Sequence, residues 1–206
     1  MTEICVLIVE DEPLIAEDIA ACLGQVDYTV SAIAYDKAGA LHTLATQRAD
    51  IVLLDLNLEG GLEGIDIATH INEQYHLPFV FLTSYADRQV LDKVKPTRPM
   101  GYLVKPFDEK DLFAALEIAL YNFAHTRKPA RLTLAQLNEQ LLSPLTVKEF
   151  EVLLDLYEGR TNKQIGDRHF ISLNTVKTHL KNLYDKLQVH TRTEALQRVR
   201  TLAAPP

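Results

Sequence analysis

From Ile4 the chain alternates short apolar runs with stretches in which apolar residues recur every three or four positions. The runs read ICVLIVE, TVSAIA, DIVLLDL, FVFLTS and YLVKP, and between or after them helices are expected from Pro13, Lys37, Gly64, Asp87 and Asp108. Five strands alternating with five helices predict an α/β unit, a parallel sheet covered on both faces. The expected strand order is 2-1-3-4-5, the flavodoxin-like (βα)5 arrangement. The third and fourth runs are continuously apolar, as strands buried on both faces should be.

After Phe123 this alternation stops. The stretch AHTRKPARLTLAQLNEQLLSP holds one short helix-like segment bracketed by Pro129 and Pro144, so a linker is expected over 125–143, between modules at 1–124 and 144–206. Beyond Leu145 only helical periodicity survives. TVKE at Thr146 and TNKQ at Thr161 have capping-box spacing, Gly159 can stop the first helix, and Ser172 can cap the third. Leu173, Val176, Leu180, Leu183 and Leu187 form an apolar stripe on the third helix, and a fourth runs from about Arg192 to Leu202. The second module is predicted to be an all-α bundle of four helices with a tight turn, FIS, before the third.

Charge divides the chain at the same place. Residues 1–125 hold 8 Lys+Arg against 20 Asp+Glu, a balance of −12, while residues 126–206 hold 13 against 8, a balance of +5. A basic helical module joined to an acidic α/β module is consistent with nucleic-acid binding by the second. The longest apolar runs are far too short for a membrane span, and no basic segment precedes them, so a cytoplasmic protein without a membrane partner is expected. Cys5 and Cys22 have neither metal nor disulfide spacing and are expected to be small core residues.

In an open parallel sheet, chemistry gathers outside the carboxyl ends of the strands. There the sequence places Glu10 and Asp11, Asp55, Thr83 with Ser84, and Lys105. Three carboxylates that close repel one another unless a cation lies among them, and hard oxygen donors without His or Cys favour Mg²⁺. The set suits phosphoryl transfer onto Asp55, with Mg²⁺ and Lys105 neutralising charge and Thr83 hydrogen-bonding a phosphoryl oxygen.

VEDE, LLDLN, LTS and YLVKPF, in that order on the first, third, fourth and fifth strands, make residues 3–122 resemble the receiver domain of two-component response regulators. The resemblance implies that a sensor histidine kinase phosphorylates Asp55. It further implies Mg²⁺ on Asp11, Asp55 and the Asn57 backbone carbonyl with Glu10 assisting, and Tyr102 as a switch residue coupled to Thr83. Two features depart from the usual receiver pattern. Leu58 and Glu59 replace a Met-Pro step, and Gly64 lies nine residues after Asp55 rather than eight, so the loop with Gly60 and Gly61 is expected to form a pliable wall. Pro96 and Pro99 are expected to shorten the fourth helix or replace its last turn.

Residues 145–196, through LT..E.EVL, TNKQI, IS..TVK.H and KL.V..R.EA, resemble the LuxR-type (NarL/FixJ) helix-turn-helix. By that resemblance Lys177, Thr178 and Lys181 are candidate base-edge contacts, and Thr161, Lys163 and His179 candidate phosphate contacts. Gly166 and His169 stand where the family usually has Ala and Leu. A glycine inside a helix costs about 1 kcal/mol relative to alanine, so a weakened scaffold helix is expected.

The reading is a response regulator: a phosphoacceptor with at most slow self-dephosphorylation rather than an enzyme, controlling transcription through double-stranded DNA and pairing as a homodimer when phosphorylated. A haloacid-dehalogenase-type phosphatase would need a second acid two residues after the nucleophile, and Asn57 cannot serve. The alternatives within the family resemblance are output through protein or RNA contacts, or DNA binding independent of phosphorylation.

Overall fold

The structure, a computed structural model, describes residues 3–24, 28–84, 88–125 and 133–203. The expected helix start at Asp87 and the Pro129 end of the expected linker segment lie outside these residues. Two compact units are formed, one of residues 4–120 and one of residues 1–3 with 121–206.

In the first unit β1 (Ile4–Val9), β2 (Tyr28–Ala34), β3 (Ile51–Asp55), β4 (Phe79–Thr83) and β5 (Gly101–Val104) form one parallel sheet in the order β2-β1-β3-β4-β5. Every residue of β3 and β4 is buried, while the edge strand β2 is mostly half-buried, which is why only the central strands read as unbroken apolar runs. Helices α1 (Pro13–Leu23), α2 (Lys37–Thr46), α3 (Glu63–His70), α4 (Arg88–Val94) and α5 (Glu109–His125) follow the strands in turn. Ile4, Val6 and Ile8 pack with Ile19, Leu112 and Leu116 on one face of the sheet. Leu7 and Val9 pack with Leu44, Ile67 and Phe81 on the other. Alternate residues of β1 thus serve two cores, as the two-residue period of a strand requires.

The caps explain where these helices begin. Pro13 opens α1, and the Asp36 carboxylate caps α2 by accepting the Gly39 N–H at 2.6 Å. A π-helical turn, Ile71–Tyr75, extends α3 until His76 enters the left-handed region at φ 53°. The fourth helix is cut short as its prolines predict: α4 ends at Val94 and a 3-10 turn, Lys95–Thr97, replaces its continuation.

The second unit holds α6 (Leu134–Asn138), the short segment expected within the linker, and then α7 (Val147–Tyr157), α8 (Asn162–His169), α9 (Leu173–Leu187) and α10 (Arg192–Ala203). Both predicted capping boxes form, Thr146 with Glu149 and Thr161 with Gln164, and Ser172 caps α9. Val176, Leu180, Leu183 and Leu187 are buried as the stripe predicts, joined by Tyr184, whereas Leu173 at the helix start is 38% exposed. Cys5 and Cys22 are only half-buried.

Gly64 is where backbone crowding is greatest. A Cβ there would lie 2.8 Å from Leu56 Cα and against the Asp55 carbonyl, both backbone groups of the strand end that carries the acidic site. Gly61 has room for a Cβ, with only the Glu63 side chain and the Leu58 carbonyl at ordinary distances. Gly64→Ala is therefore expected to lower stability by about 1–3 kcal/mol in a denaturant melt of the whole chain, with Gly61→Ala close to neutral.

Candidate functional site

Parallel strands in register deliver their carboxyl ends to one edge, and the pairings Leu54 with Val9, Asp55 with Leu82 and Thr83 with Val104 set that edge. Asp55 is the last residue of β3, Thr83 the last of β4, Glu10 and Asp11 follow β1, and Lys105 follows β5. Glu10, Asp55 and Thr83 are buried. One carboxylate oxygen each from Glu10, Asp11 and Asp55 falls within 4.8 Å of the others.

Lys105 holds this cluster together. Its ammonium lies 2.5 Å from Asp55 Oδ2 and 2.6 Å from Glu10 Oε2, with only 11% of its side chain exposed. Burial works against the lysine's charge, but the hydrogen bonds it donates to Asp55 and Glu10 outweigh it and its pKa rises. The remaining Asp55 oxygen accepts the Asn57 N–H at 2.9 Å, which fixes the carboxylate's rotation. Glu10 is pushed up to about 7, first by burial, with the Lys105 hydrogen bond opposing and the Asp55 charge adding to the rise.

The loop after β3 is organised rather than slack. Gly61 donates to the Leu58 carbonyl at 2.9 Å across Glu59 (φ 51°) and Gly60 (φ 81°), the geometry of a type I′ turn. Leu58 is fully buried, and the Glu59 N–H donates to Asp11 Oδ2 at 3.0 Å. The extra residue thus closes a turn whose backbone reaches the acidic cluster, and Glu59 joins the site through its amide, which no side-chain pattern could announce. Tyr102, on β5, is half-buried against the core face that contains Val94 and Phe81.

In the helical unit, Thr178 and Lys181 are exposed on α9 and Lys177 is half-buried. Lys163 is exposed on α8 and His179 half-buried, while Thr161 is buried as the cap of α8, its hydroxyl accepting the Gln164 N–H at 3.3 Å. The positions expected to weaken α8 are tied into its surroundings. His169 Nε2 lies 2.5 Å from the buried Asp155, its Nδ1 lies 2.9 Å from Lys148 Nζ, and a Cβ on Gly166 would lie 3.0 Å from the Ile171 carbonyl. Arg192 has a structural role that its sequence position alone did not reveal: it is buried and donates to the Arg160 and Leu156 carbonyls at 2.8 and 3.1 Å, satisfying the end of α7.

Comparison with known proteins bears on both units. The family described as "Response regulator receiver domain" matches residues 6–117, and "Bacterial regulatory proteins, luxR family" matches residues 143–199. The chain is a two-component response regulator with a LuxR-type DNA-binding domain. The transcriptional regulatory protein LiaR of Bacillus subtilis is 31% identical over 198 residues, covering 92% of this chain and 93% of LiaR. The DNA-binding transcriptional activator DevR/DosR of Mycobacterium tuberculosis is 32% identical over 199 residues, covering 92% and 91%. The receiver of a modulated diguanylate cyclase from Desulfovibrio desulfuricans superposes with a TM-score of 0.55 at 31% identity, covering 59% of this chain and 96% of that one. RcsB of Salmonella typhimurium shares the fold along 98% of this chain and 100% of that one, at 24% identity and a TM-score of 0.53.

The response regulator therefore controls transcription and has the architecture of a regulator rather than an enzyme. Among its described residues no helix is long and apolar enough to cross a membrane.

The folded receiver holds the Glu10 proton more tightly than an unfolded chain, so the associated stability is fully present below about pH 4.5 and lost as pH rises through about 7. Glu10→Gln keeps a neutral side chain throughout. In divalent-free buffer its stability relative to the wild type should rise between pH ~5 and ~8, followed by thermal melts.

Proposed function

We propose that Asp55 accepts a phosphoryl group from a phosphohistidine of a sensor kinase, and that this modification governs DNA binding by α9. The observation that carries the reading is the Asp55 carboxylate held by Lys105 and the Asn57 amide at the edge where Glu10 and Asp11 converge.

In the transfer an Asp55 oxygen attacks phosphorus, the P–N bond to the donor imidazole breaks as the P–O bond forms, and the imidazole takes up a proton. The product is an acyl phosphate. In this reading Lys105, already on Asp55, offsets the charge on the phosphoryl oxygens, and the hydroxyl of Thr83, the last residue of β4, donates to one of them. Three convergent carboxylates without His or Cys fit a hard divalent cation, and Glu10, Asp11, Asp55 and the Asn57 carbonyl would hold Mg²⁺. Bound there, Mg²⁺ supplies charge neutralisation for the incoming phosphate.

The new charge on Asp55 draws Thr83 and Lys105 toward it, and Tyr102 on β5 follows into the space beside Thr83. That rearrangement favours pairing of two chains, so that two α9 helices address two DNA half-sites in the cytoplasm. Lys177, Thr178 and Lys181 read base edges, while Lys163, His179 and the Thr161 end of α8 meet phosphates.

Incubation of the whole chain with a small phosphodonor and Mg²⁺ should label the wild type and leave Asp55→Asn unlabelled; retained labelling rejects the acceptor assignment. Lys177→Ala combined with Lys181→Ala should lose sequence-specific duplex binding and reduce its salt dependence, measured by titration at several salt concentrations. Unchanged binding would remove α9 from its role.

A further inference from the structure

The turn between α8 and α9 carries a residue that nothing in its own unit explains. Phe170 has φ 55° and ψ 41°, the left-handed conformation that ends α8, and it is 96% exposed. Glycine or a small polar residue is the usual occupant of such a position, because a Cβ is strained there and the site faces water. The other non-glycine residues with positive φ among the described ones are Glu59, His76, Arg98 and Gln188, all polar. Phe170 combines the backbone cost with a fully hydrated aromatic ring.

Its place in the fold supplies the occupant. Phe170 lies two residues before Ser172, the cap of α9, and the Ile171 N–H to Gly166 carbonyl bond at 3.0 Å ties the turn to α8. Gly166 admits the Ile171 carbonyl at a distance where a Cβ would be tight, so the backbone carrying the ring is closely set. Leu173, the first residue of α9, is also 38% exposed, and Asn174, Thr178 and Lys181 beyond it are exposed and polar or basic. A recognition helix enters the major groove with its N-terminal residues at the base edges. The turn just ahead of it then borders the groove wall, where the apolar surfaces are thymine methyl groups and deoxyribose rings.

We propose that Phe170 is a further DNA-contact residue of this regulator, its ring packing against the apolar surface of the duplex, a thymine methyl or a deoxyribose, at the edge of the groove that α9 enters. This rests on the reading of α9 as the recognition helix. The contact buries the ring only in the complex, which accounts for an aromatic residue at a position whose free-state preferences run against it.

The test uses the whole chain and two duplexes: one recovered from a randomised pool by selection on the wild type, and one of random sequence and equal length. Phe170→Gly suits the left-handed backbone, so its thermal midpoint should equal or exceed that of the wild type. Its affinity for the selected duplex should fall about tenfold or more. The slope of log affinity against log salt should not change, because no charge is lost.

Uracil in place of each thymine in turn distinguishes the two surfaces. Sensitivity of the wild type at one position, absent in Phe170→Gly, assigns the methyl group. Equal weakening on selected and random duplexes without a uracil effect assigns deoxyribose. Wild-type affinity in Phe170→Gly overturns the proposal, and so does a loss accompanied by an altered dimerisation constant in the absence of DNA, which would assign the ring to a second copy of the chain. Phe170→Gly weakened beside an unaffected Lys177→Ala, Lys181→Ala variant would reject the recognition-helix reading alone. The reverse pattern would reject only the Phe170 contact.

Discussion

The Lys105 ammonium between Asp55 and Glu10 is the interaction on which the receiver's carboxyl-end edge depends. Two buried carboxylates cannot both ionise side by side without a cation, and Asp11 brings a third within 4.8 Å. Lys105 reaches them because β5 lies beside β4 at the end of the sheet and its residue 105 N–H pairs with the Thr83 carbonyl at 2.7 Å. The Glu10 carboxyl is held above the usual carboxylate range, first by its burial and then by the Asp55 charge, against the opposing pull of Lys105.

A parallel sheet is the scaffold that makes such a cluster affordable. All strand ends arrive at one edge, and the apolar runs that bury β3 and β4 on both faces hold Asp55 and Thr83 at fixed heights. The loop that follows β3 then adds its own constraint. Its Glu59–Gly60 turn places an amide on Asp11, and Gly64 brings the start of α3 against the backbone of residues 55 and 56. A longer loop has been accommodated by a defined turn with two positive φ values, so the departure from the usual receiver spacing does not leave the acidic site without a wall.

The helical unit solves a different problem, the presentation of one helix face. Capping boxes on α7 and α8, a serine cap on α9 and the buried Arg192 guanidinium on the end of α7 satisfy helix termini that short helices leave open. Asp155, His169 and Lys148 tie α7 to α8, so the substitution of His169 for an apolar residue exchanges packing for a hydrogen-bonded link. The outer face of α9 is left polar and basic by the same stripe that buries Val176, Leu180, Leu183 and Leu187.

The element order, the strand assignment, the shortened α4 and the caps of α7, α8 and α9 were legible in the sequence. They depend on two-residue and 3.6-residue periodicities and on local chemistry at helix ends, which act within a few residues of one another. The arrival of residues 10, 11, 55, 83 and 105 at one edge was legible too, because parallel strands have only one carboxyl edge. Tertiary structure alone decided the rest. The Gly60–Gly61 pair suggested slack, yet burial of Leu58 and the Glu59–Asp11 hydrogen bond organise the loop. The role of Arg192 depends on carbonyls about thirty residues away. Phe170 is an ordinary aromatic in the sequence, and only its left-handed backbone and its exposure distinguish it. These outcomes depend on which distant backbone groups need partners and which side chains find neighbours, and no periodicity along the chain encodes either.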